Sequence, residues 1–286
     1  MQADRLEHQR FPGYGECIYC GISEDVTKLT DEHVVAFALG GNVIIENASC
    51  EACAAETSKC EREIARNVLA DFRTHTNIQT RRPKDRPTEL LFNVSLDGAE
   101  PQTLTVPVKD HPFFTPMPVW GMPGLLRGMR PEAPWALENK AHLFYSVPDN
   151  LARTVGLQHG QRAELPFPTV NVNHELYARA IAKIAYCQAV ARFGLRGFRS
   201  LVLPKLILGR YPHIPYFVGS DPDAEPPPRL ERSILHAISF EEVGIGNMRL
   251  ILAAVRLFAN SGTERAGPPI YRVIVGAPLR PRARRS

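Results

Sequence analysis

The chain has 286 residues, 44% of them hydrophobic, and a formal net charge of +4. It is long enough for one large domain or two smaller ones, and its apolar content excludes wholesale disorder. No apolar run reaches the roughly 18 residues that would indicate a membrane span, and the polar residues 1–8 lack the apolar stretch of a signal peptide. We therefore expect a soluble, cytoplasmic protein without a membrane partner.

Strand, loop, strand and helix follow one another in a first compact unit, predicted over residues 15–76. The sequence predicts a short strand over residues 28–35, a loop over 37–42 and then the start of a second strand over 43–45. After the second strand the apolar period changes from two to about 3.6, which indicates an amphipathic helix over residues 54–72.

Two pairs of cysteines with CxxC spacing lie at the two ends of the strand–loop–strand segment. The pairs are Cys17/Cys20 and Cys50/Cys53. Because a gap of two residues lets both sulfur atoms of a pair face one ion, this spacing predicts a structural Zn²⁺ site with four thiolate ligands. The missing signal peptide and the spacing favour metal over disulfides. Cys60 and Cys187 lie in apolar helical stretches and are predicted to be core residues.

Eight basic residues between positions 59 and 86 outnumber four acidic ones. They are candidates for neutralising the phosphates of a nucleic acid, although a solvated helix face is an equally good interpretation. The basic residues are Lys59, Arg62, Arg66, Arg73, Arg81, Arg82, Lys84 and Arg86. The last four belong to a proline-punctuated linker, predicted over residues 77–88. A second unit over residues 89–279 and a basic tail over residues 280–286 follow.

The second unit is predicted to be a larger α+β domain with an antiparallel sheet. Its predicted strands cover residues 89–96, 104–108, 234–240, 249–258 and 270–275. The first two flank a turn at Asp97-Gly98, and the last three form an antiparallel meander. Residues 111–134 are rich in proline and glycine and are predicted to be irregular. Asn173 can cap a helix that ends at Phe193.

An acid–histidine pair and two glycines lie between the cysteine pairs, and this combination resembles the HNH endonucleases in their variant with a four-cysteine zinc site. The residues that carry the resemblance are Cys17/Cys20, Glu32-His33-Val34-Val35, Gly40-Gly41, Glu46-Asn47 and Cys50/Cys53. The resemblance implies a small N-terminal zinc-bound ββα-metal domain. As function it implies metal-dependent hydrolysis of phosphodiester bonds in nucleic acid, expected to be DNA.

The resemblance also implies roles for single residues. His33 matches the general base that takes a proton from the attacking water, a task that suits a side chain with an ordinary pKa near 6.5. Glu32 matches the ligand of a catalytic Mg²⁺ or Mn²⁺, with Asp31 as a second candidate. Asn47, or Ile45 when counted back from the cysteines, matches the residue that fixes the histidine loop. Neighbouring strand residues point to opposite faces unless a bulge intervenes, and the sequence leaves open which case applies here.

One position departs from the family pattern. After the last zinc cysteine the family has an asparagine or histidine that binds the catalytic metal, whereas this chain has Ala54, whose methyl group binds no cation. Glu56, Thr57 or Ser58 on the first helical turn could replace it. Two hypotheses therefore stand beside an active endonuclease. One is a catalytically impaired, zinc-stabilised nucleic-acid-binding protein, and the other is a structural or protein-interaction module that zinc only staples together.

Overall fold

The computed structural model describes residues 8–80, 82–134, 141–165, 171–221, 228–231, 233–261 and 268–279. Its strands are β1 (Gln9–Phe11), β2 (Leu29–His33), β3 (Val43–Cys50), β4 (Glu89–Leu96), β5 (Gln102–Pro107), β6 (Phe113–Pro118), β7 (Ala141–Ser146), β8 (Ala163–Glu164), β9 (Phe198–Arg199), β10 (Val218–Ser220), β11 (Ala237–Ile245), β12 (Met248–Arg256) and β13 (Tyr271–Pro278). Its α-helices are α1 (Glu51–Arg62), α2 (Ala70–His75), α3 (Leu151–Thr154), α4 (His174–Phe193), α5 (Leu203–Ile207) and α6 (Ile214–Phe217). The chain combines α-helices with sheets that are mainly antiparallel, so the predicted α+β class is confirmed.

The first unit has the predicted order of strand, loop, strand and helix. β2 runs antiparallel to β3, and β1, which the sequence did not predict, adds a parallel strand on the other side of β3. The loop between β2 and β3 contains a short 3-10 turn (Phe37–Leu39) followed by the two glycines. A Cβ atom at Gly41 would lie 1.9 Å from the carbonyl oxygen of Val35, so only glycine fits where the loop packs on the end of β2.

The helical segment after β3 is longer than predicted and is not regular throughout. The sequence predicts one helix over residues 54–72, but α1 begins at Glu51, directly after β3. A π-helical segment (Glu63–Val68) separates α1 from α2. The amide of Leu69 donates to the carbonyl of Ile64 (2.9 Å), the five-residue spacing of a π turn. The apolar period alone does not reveal this change, because the residues facing the core stay buried through it.

Antiparallel pairing dominates the second part of the chain. The predicted meander is confirmed as β11-β12-β13, and β10 and β9 extend it along β13. The predicted hairpin is confirmed as β4-β5. Asp97 and Gly98 both have positive φ (50° and 74°), and the amide of Ala99 donates to Leu96 (2.9 Å), which closes a type I′ turn.

One stretch that the sequence predicts to be irregular contains a strand. Within residues 111–134, Phe113–Pro118 forms β6, which pairs antiparallel with β7. Pro116 and Pro118 are compatible with this strand because, among the described residues, β6 pairs along one edge only. The prediction for these six residues is therefore wrong, since it ignored the tolerance of edge strands for proline.

Helix α4 connects the two parts of the molecule. Its cap is as predicted, since the side chain of Asn173 accepts a hydrogen bond from the amide of Leu176 (3.0 Å). Fourteen of its 20 residues are buried, because it packs against α1 and against β12 and β13. One hydrophobic core thereby runs from Cys17, Cys50 and Cys53 to β13, and the domain division at residues 77–88 stays a prediction.

No helix within the described ranges, α4 included, combines the length and the apolar character needed to cross a membrane.

Candidate active site and zinc cluster

Four cysteine sulfur atoms converge beside β2 and β3. The Sγ atoms of Cys17, Cys20, Cys50 and Cys53 all lie within 4.8 Å of one another, and those of Cys20 and Cys50 are 3.8 Å apart. A tetrahedral site with Zn–S bonds of about 2.3 Å needs sulfur–sulfur distances of about 3.8 Å. The structure thus brings the four predicted ligands together, and they fit a structural Zn²⁺. Cys60 and Cys187 are fully buried elsewhere, which confirms them as core residues.

The four ligands come from a turn and from a strand–helix junction. In the turn, the amide of Cys17 donates to the carbonyl of Ile22 (2.8 Å), and Gly21 has a φ of 73°. At the junction, Cys50 ends β3 and Cys53 lies in the first turn of α1. Burial, followed by the neighbouring sulfur atoms, raises the pKa of the Cys53 thiol above its ordinary value, and a bound cation would oppose this rise by favouring the thiolate. A bound zinc would fasten β3 to α1.

A β-bulge in the β2-β3 pair lies within the segment that carries the acid–histidine pair. The register shifts around Asp31, so that residues 46–48 of β3 lie opposite this residue alone. Asn47 adopts the left-handed conformation (φ 44°), and its amide donates to Oδ1 of Asp31 (3.2 Å). The backbone of Asn47, with its side chain exposed, thus supports the bulge just before the histidine.

His33 lines a cavity of about 620 Å³ between the end of β2, the 3-10 turn and α1. Its imidazole is half-buried, and the ring centre lies 6.2 Å from that of Phe37. The residues of α1 that line the cavity are Ala54, Thr57, Ser58, Glu61 and Arg62. Glu61 follows Ala54 by seven residues, or two helical turns, and therefore supplies a carboxylate on the face where Ala54 has none.

A buried ammonium group lies next to this segment. Lys183 of α4 is fully buried, and its Nζ lies 2.8 Å from Oε1 of Glu32 and 2.6 Å from Oε1 of Glu61. It also donates to the backbone carbonyls of His33 and Val34. Burial opposes the charge of Lys183, but the two carboxylates outweigh it and raise its pKa. Burial raises the pKa of Glu32 while Lys183 opposes the rise, and the 2.8 Å contact supports an ionised pair.

The predicted ligands of a catalytic Mg²⁺ or Mn²⁺ do not fit a cation in this arrangement. The carboxylate of Glu32 is held by the buried ammonium. Asp31 pairs instead with Arg10 (2.5 Å). Glu56 pairs with a lysine of its own helix (2.7 Å), and Ala54 has no ligand atom. A hard divalent cation takes about six oxygen ligands, and these side chains do not converge to provide them.

The first unit matches a known protein family. Residues 17–75 match the model of the HNH endonuclease family. We refer to residues 17–75 as the HNH unit, because this is the segment that the family model matches. The match covers 59 of the 286 residues and supports nuclease activity on nucleic acid. No curated protein and no solved structure matches the chain.

Part of the predicted basic cluster lies in the cavity of the HNH unit. The members that share the cavity with His33 are Arg62, Arg66, Arg73 and Arg82. Arg73 donates to the carbonyls of Ala38 (2.5 Å) and Ala65 (2.7 Å) and so supports the cavity wall. Arg62 and Arg66 are exposed, and within the described ranges neither forms an ion pair. Of the others, Lys59, Lys84 and Arg86 do not line this cavity, and Arg81 and the basic tail lie outside the described residues.

Two residues of the candidate site, Lys183 and Glu61, were not predicted from the sequence. Lys183 has a signal in the sequence, because residues 180–191 contain no other charged side chain. A lysine is almost never fully buried unless its charge is paired, so this position predicts an acidic partner without saying which one. Glu61 has a weaker signal, namely its spacing of two turns from Ala54 on the same helix face.

Proposed function

We propose that this protein hydrolyses phosphodiester bonds in nucleic acid, with DNA as the expected substrate and His33 as the general base. The observation that carries the proposal is the cavity of the HNH unit, which His33 lines together with several arginines. A neutral imidazole can accept the proton of the attacking water.

Arg62 and Arg66 supply the positive charge on the helical side of the cavity. A guanidinium group donates two parallel hydrogen bonds to phosphate oxygens, and it stays charged at any physiological pH. Both arginines are exposed and unpaired among the described residues, so they are available to the nucleic-acid backbone. They would position the backbone, while His33 acts at the scissile bond.

Zinc and Lys183 support this arrangement from outside the cavity. The four cysteines would hold a structural Zn²⁺ that fastens β3 to α1, the helix that forms one cavity wall. Lys183 binds the carbonyl of His33 and so fixes the backbone that carries the base. We assign no step to a divalent cation on Glu32, because that carboxylate is paired with Lys183.

The test is cleavage of supercoiled plasmid DNA by the purified, zinc-loaded chain, with and without added Mg²⁺ or Mn²⁺. We expect the His33→Ala variant to cleave about 10²–10⁴-fold more slowly than the wild type, the usual contribution of a general base. The matched control is His159→Ala, because His159 is exposed and does not line the cavity. Equal cleavage by the wild type and His33→Ala, or no cleavage on single-stranded, double-stranded and RNA substrates, would contradict the proposal.

A nucleic-acid-binding protein without catalysis is the second candidate, and two observations favour it. Ala54 offers no ligand where the family has one, and Glu32 is paired with Lys183. This candidate predicts salt-dependent DNA binding that His33→Ala leaves unchanged, in the absence of any cleavage. A wild-type chain that cleaves DNA, or that has no affinity for nucleic acid at low salt, would eliminate it.

A further inference from the structure

The oxygen atoms around the Lys183 ammonium resemble a cation site in their number and charge. Two carboxylate oxygens, from Glu32 and Glu61, lie 2.8 Å and 2.6 Å from Nζ. Two backbone carbonyls, of His33 and Val34, complete the shell. An ammonium group has three N–H donors and accepts nothing, so four surrounding oxygens satisfy it completely.

This ammonium comes from a distant part of the chain and is rigidly placed. Lys183 lies in the middle of α4, 150 residues after His33, and its side chain is 0% exposed. The partner carboxylate of Glu32 is only 7% exposed. Neither side chain can therefore turn toward solvent without disturbing the packing between α4 and the HNH unit.

A divalent cation bound to Glu32 would meet this ammonium at close range. Mg²⁺ and Mn²⁺ bind carboxylate oxygens at about 2.0–2.2 Å, which would place the metal near Nζ in a poorly solvated region where like charges repel strongly. Ala54 also removes the ligand that the family has on the helix side, and Glu61 of the same helix is paired with Lys183. The position of the ammonium and the alanine at position 54 both argue against a divalent cation on Glu32.

We infer that the ammonium of Lys183 is the resident cation of this HNH unit, and that Glu32 binds no divalent metal ion while Lys183 is in place. The inference concerns the site of the proposed function, but it does not need cleavage to be true. A test that measures metal binding therefore separates its failure from the failure of the proposed function.

The experiment measures Mn²⁺ binding to the full, zinc-loaded chain by the electron paramagnetic resonance signal of free Mn²⁺. The variants are Glu32→Gln, Lys183→Met, the double variant with both changes, and Lys59→Met as control. Lys59 is matched because it forms a lysine–glutamate pair of 2.7 Å on the surface of α1. Zinc content and circular dichroism report whether each variant is folded.

We expect the wild type and Glu32→Gln to bind Mn²⁺ alike, without a site that depends on Glu32. Lys183→Met should gain one Mn²⁺ site, which the double variant loses and Lys59→Met never shows. Wild-type Mn²⁺ affinity that falls tenfold or more in Glu32→Gln would overturn the inference, and so would a folded Lys183→Met variant without a new site. If Lys183→Met does not fold, the Mn²⁺ affinities of the wild type and of Glu32→Gln still test whether Glu32 binds a divalent cation.

Discussion

The placement of His33 depends on a few residues in uncommon conformations or environments. Asn47 has a positive φ at the bulge, and Gly41 fits only because it has no Cβ. Lys183 is a buried lysine that binds the carbonyl of His33. Each of these features costs free energy in isolation, and such features are common where a protein must hold a side chain in a particular place.

His236 packs against the 3-10 turn that lines the cavity and makes the stability of the chain sensitive to acid. Its Nε2 lies 2.9 Å from the carbonyl of Leu39 in the 3-10 turn, and its Nδ1 accepts from the amide of Phe258 (3.3 Å), which selects the neutral ring with its proton on Nε2. Burial lowers the pKa of His236 from 6.5 to about 4, although the Leu39 carbonyl opposes this. The unfolded chain therefore binds the extra proton first as the pH falls.

We predict that protonation linked to His236 lowers the free energy of unfolding by about 3 kcal/mol as the pH falls from 6.5 to 4. Above pH 6.5 the ring is neutral in both the folded and the unfolded chain, so none of this stability is lost there. Urea unfolding of the wild type and of His236→Gln across this range checks the prediction. The variant should be less stable at pH 8 but should lose less stability on acidification. The burial of His75 lowers its pKa to about 4 as well, so part of the acid dependence should remain. An identical pH slope in both proteins would contradict the assignment.

The junction of β3 and α1 is the element that organises the HNH unit. Cys50 ends the strand, and Cys53 lies in the first helical turn, so one bound ion would fix the angle between strand and helix. The same helix carries Glu61 and Arg62 to the cavity. A bound zinc would therefore be coupled to the shape of the cavity through this one helix.

We predict that Cys53→Ser abolishes zinc binding, from about one ion per chain to nearly none, because serine is a poor ligand for this ion. The thermal midpoint should also fall. Cys60→Ser is the matched control, since Cys60 is a buried cysteine of the same helix that donates to the carbonyl of Glu56, as a serine hydroxyl also can. Metal analysis of the purified proteins by mass spectrometry decides, and full zinc occupancy in Cys53→Ser would refute the four-cysteine site.

At the scale of the whole molecule, α4 joins the HNH unit to the antiparallel sheet. The hydroxyl of Tyr186 donates to the carbonyl of Ile18 (2.5 Å), and that of Tyr14 donates to the carbonyl of Val190 (2.9 Å). These contacts and the Lys183 pair place residues separated by more than 140 positions in one core. The part of the chain outside the family match thus helps to build the candidate active site.

We predict that Lys183→Met destabilises the whole chain by about 3–5 kcal/mol, because it leaves Glu32 buried without a partner for its charge. Adding Glu32→Gln should restore part of the loss, since the unpaired charge is then gone. The free energies of unfolding in urea of the wild type, the two single variants and the double variant form a double-mutant cycle that measures the coupling of the pair. A loss below about 1 kcal/mol in Lys183→Met would mean that the pair contributes little to folding.

The parts of the site that the sequence predicts well are those whose geometry is local. The cluster of four cysteines follows from two CxxC spacings, and the order of strand, loop, strand and helix follows from the change of apolar period. The roles of His33 and of the basic residues stay predictions, and the cleavage experiment tests that of His33. The strand β6 was missed because proline at an edge position does not break a sheet.

The sequence alone determined that a four-cysteine cluster frames an acid–histidine segment, because short spacings along one chain fix which side chains can meet. Only the tertiary structure decided what surrounds that segment. Lys183 reaches Glu32 from α4, and Glu61 reaches the same ammonium from α1, because long-range packing brings the two helices together. No local pattern encodes such a contact. The charge of the candidate site is therefore a property of the folded chain and not of the motif.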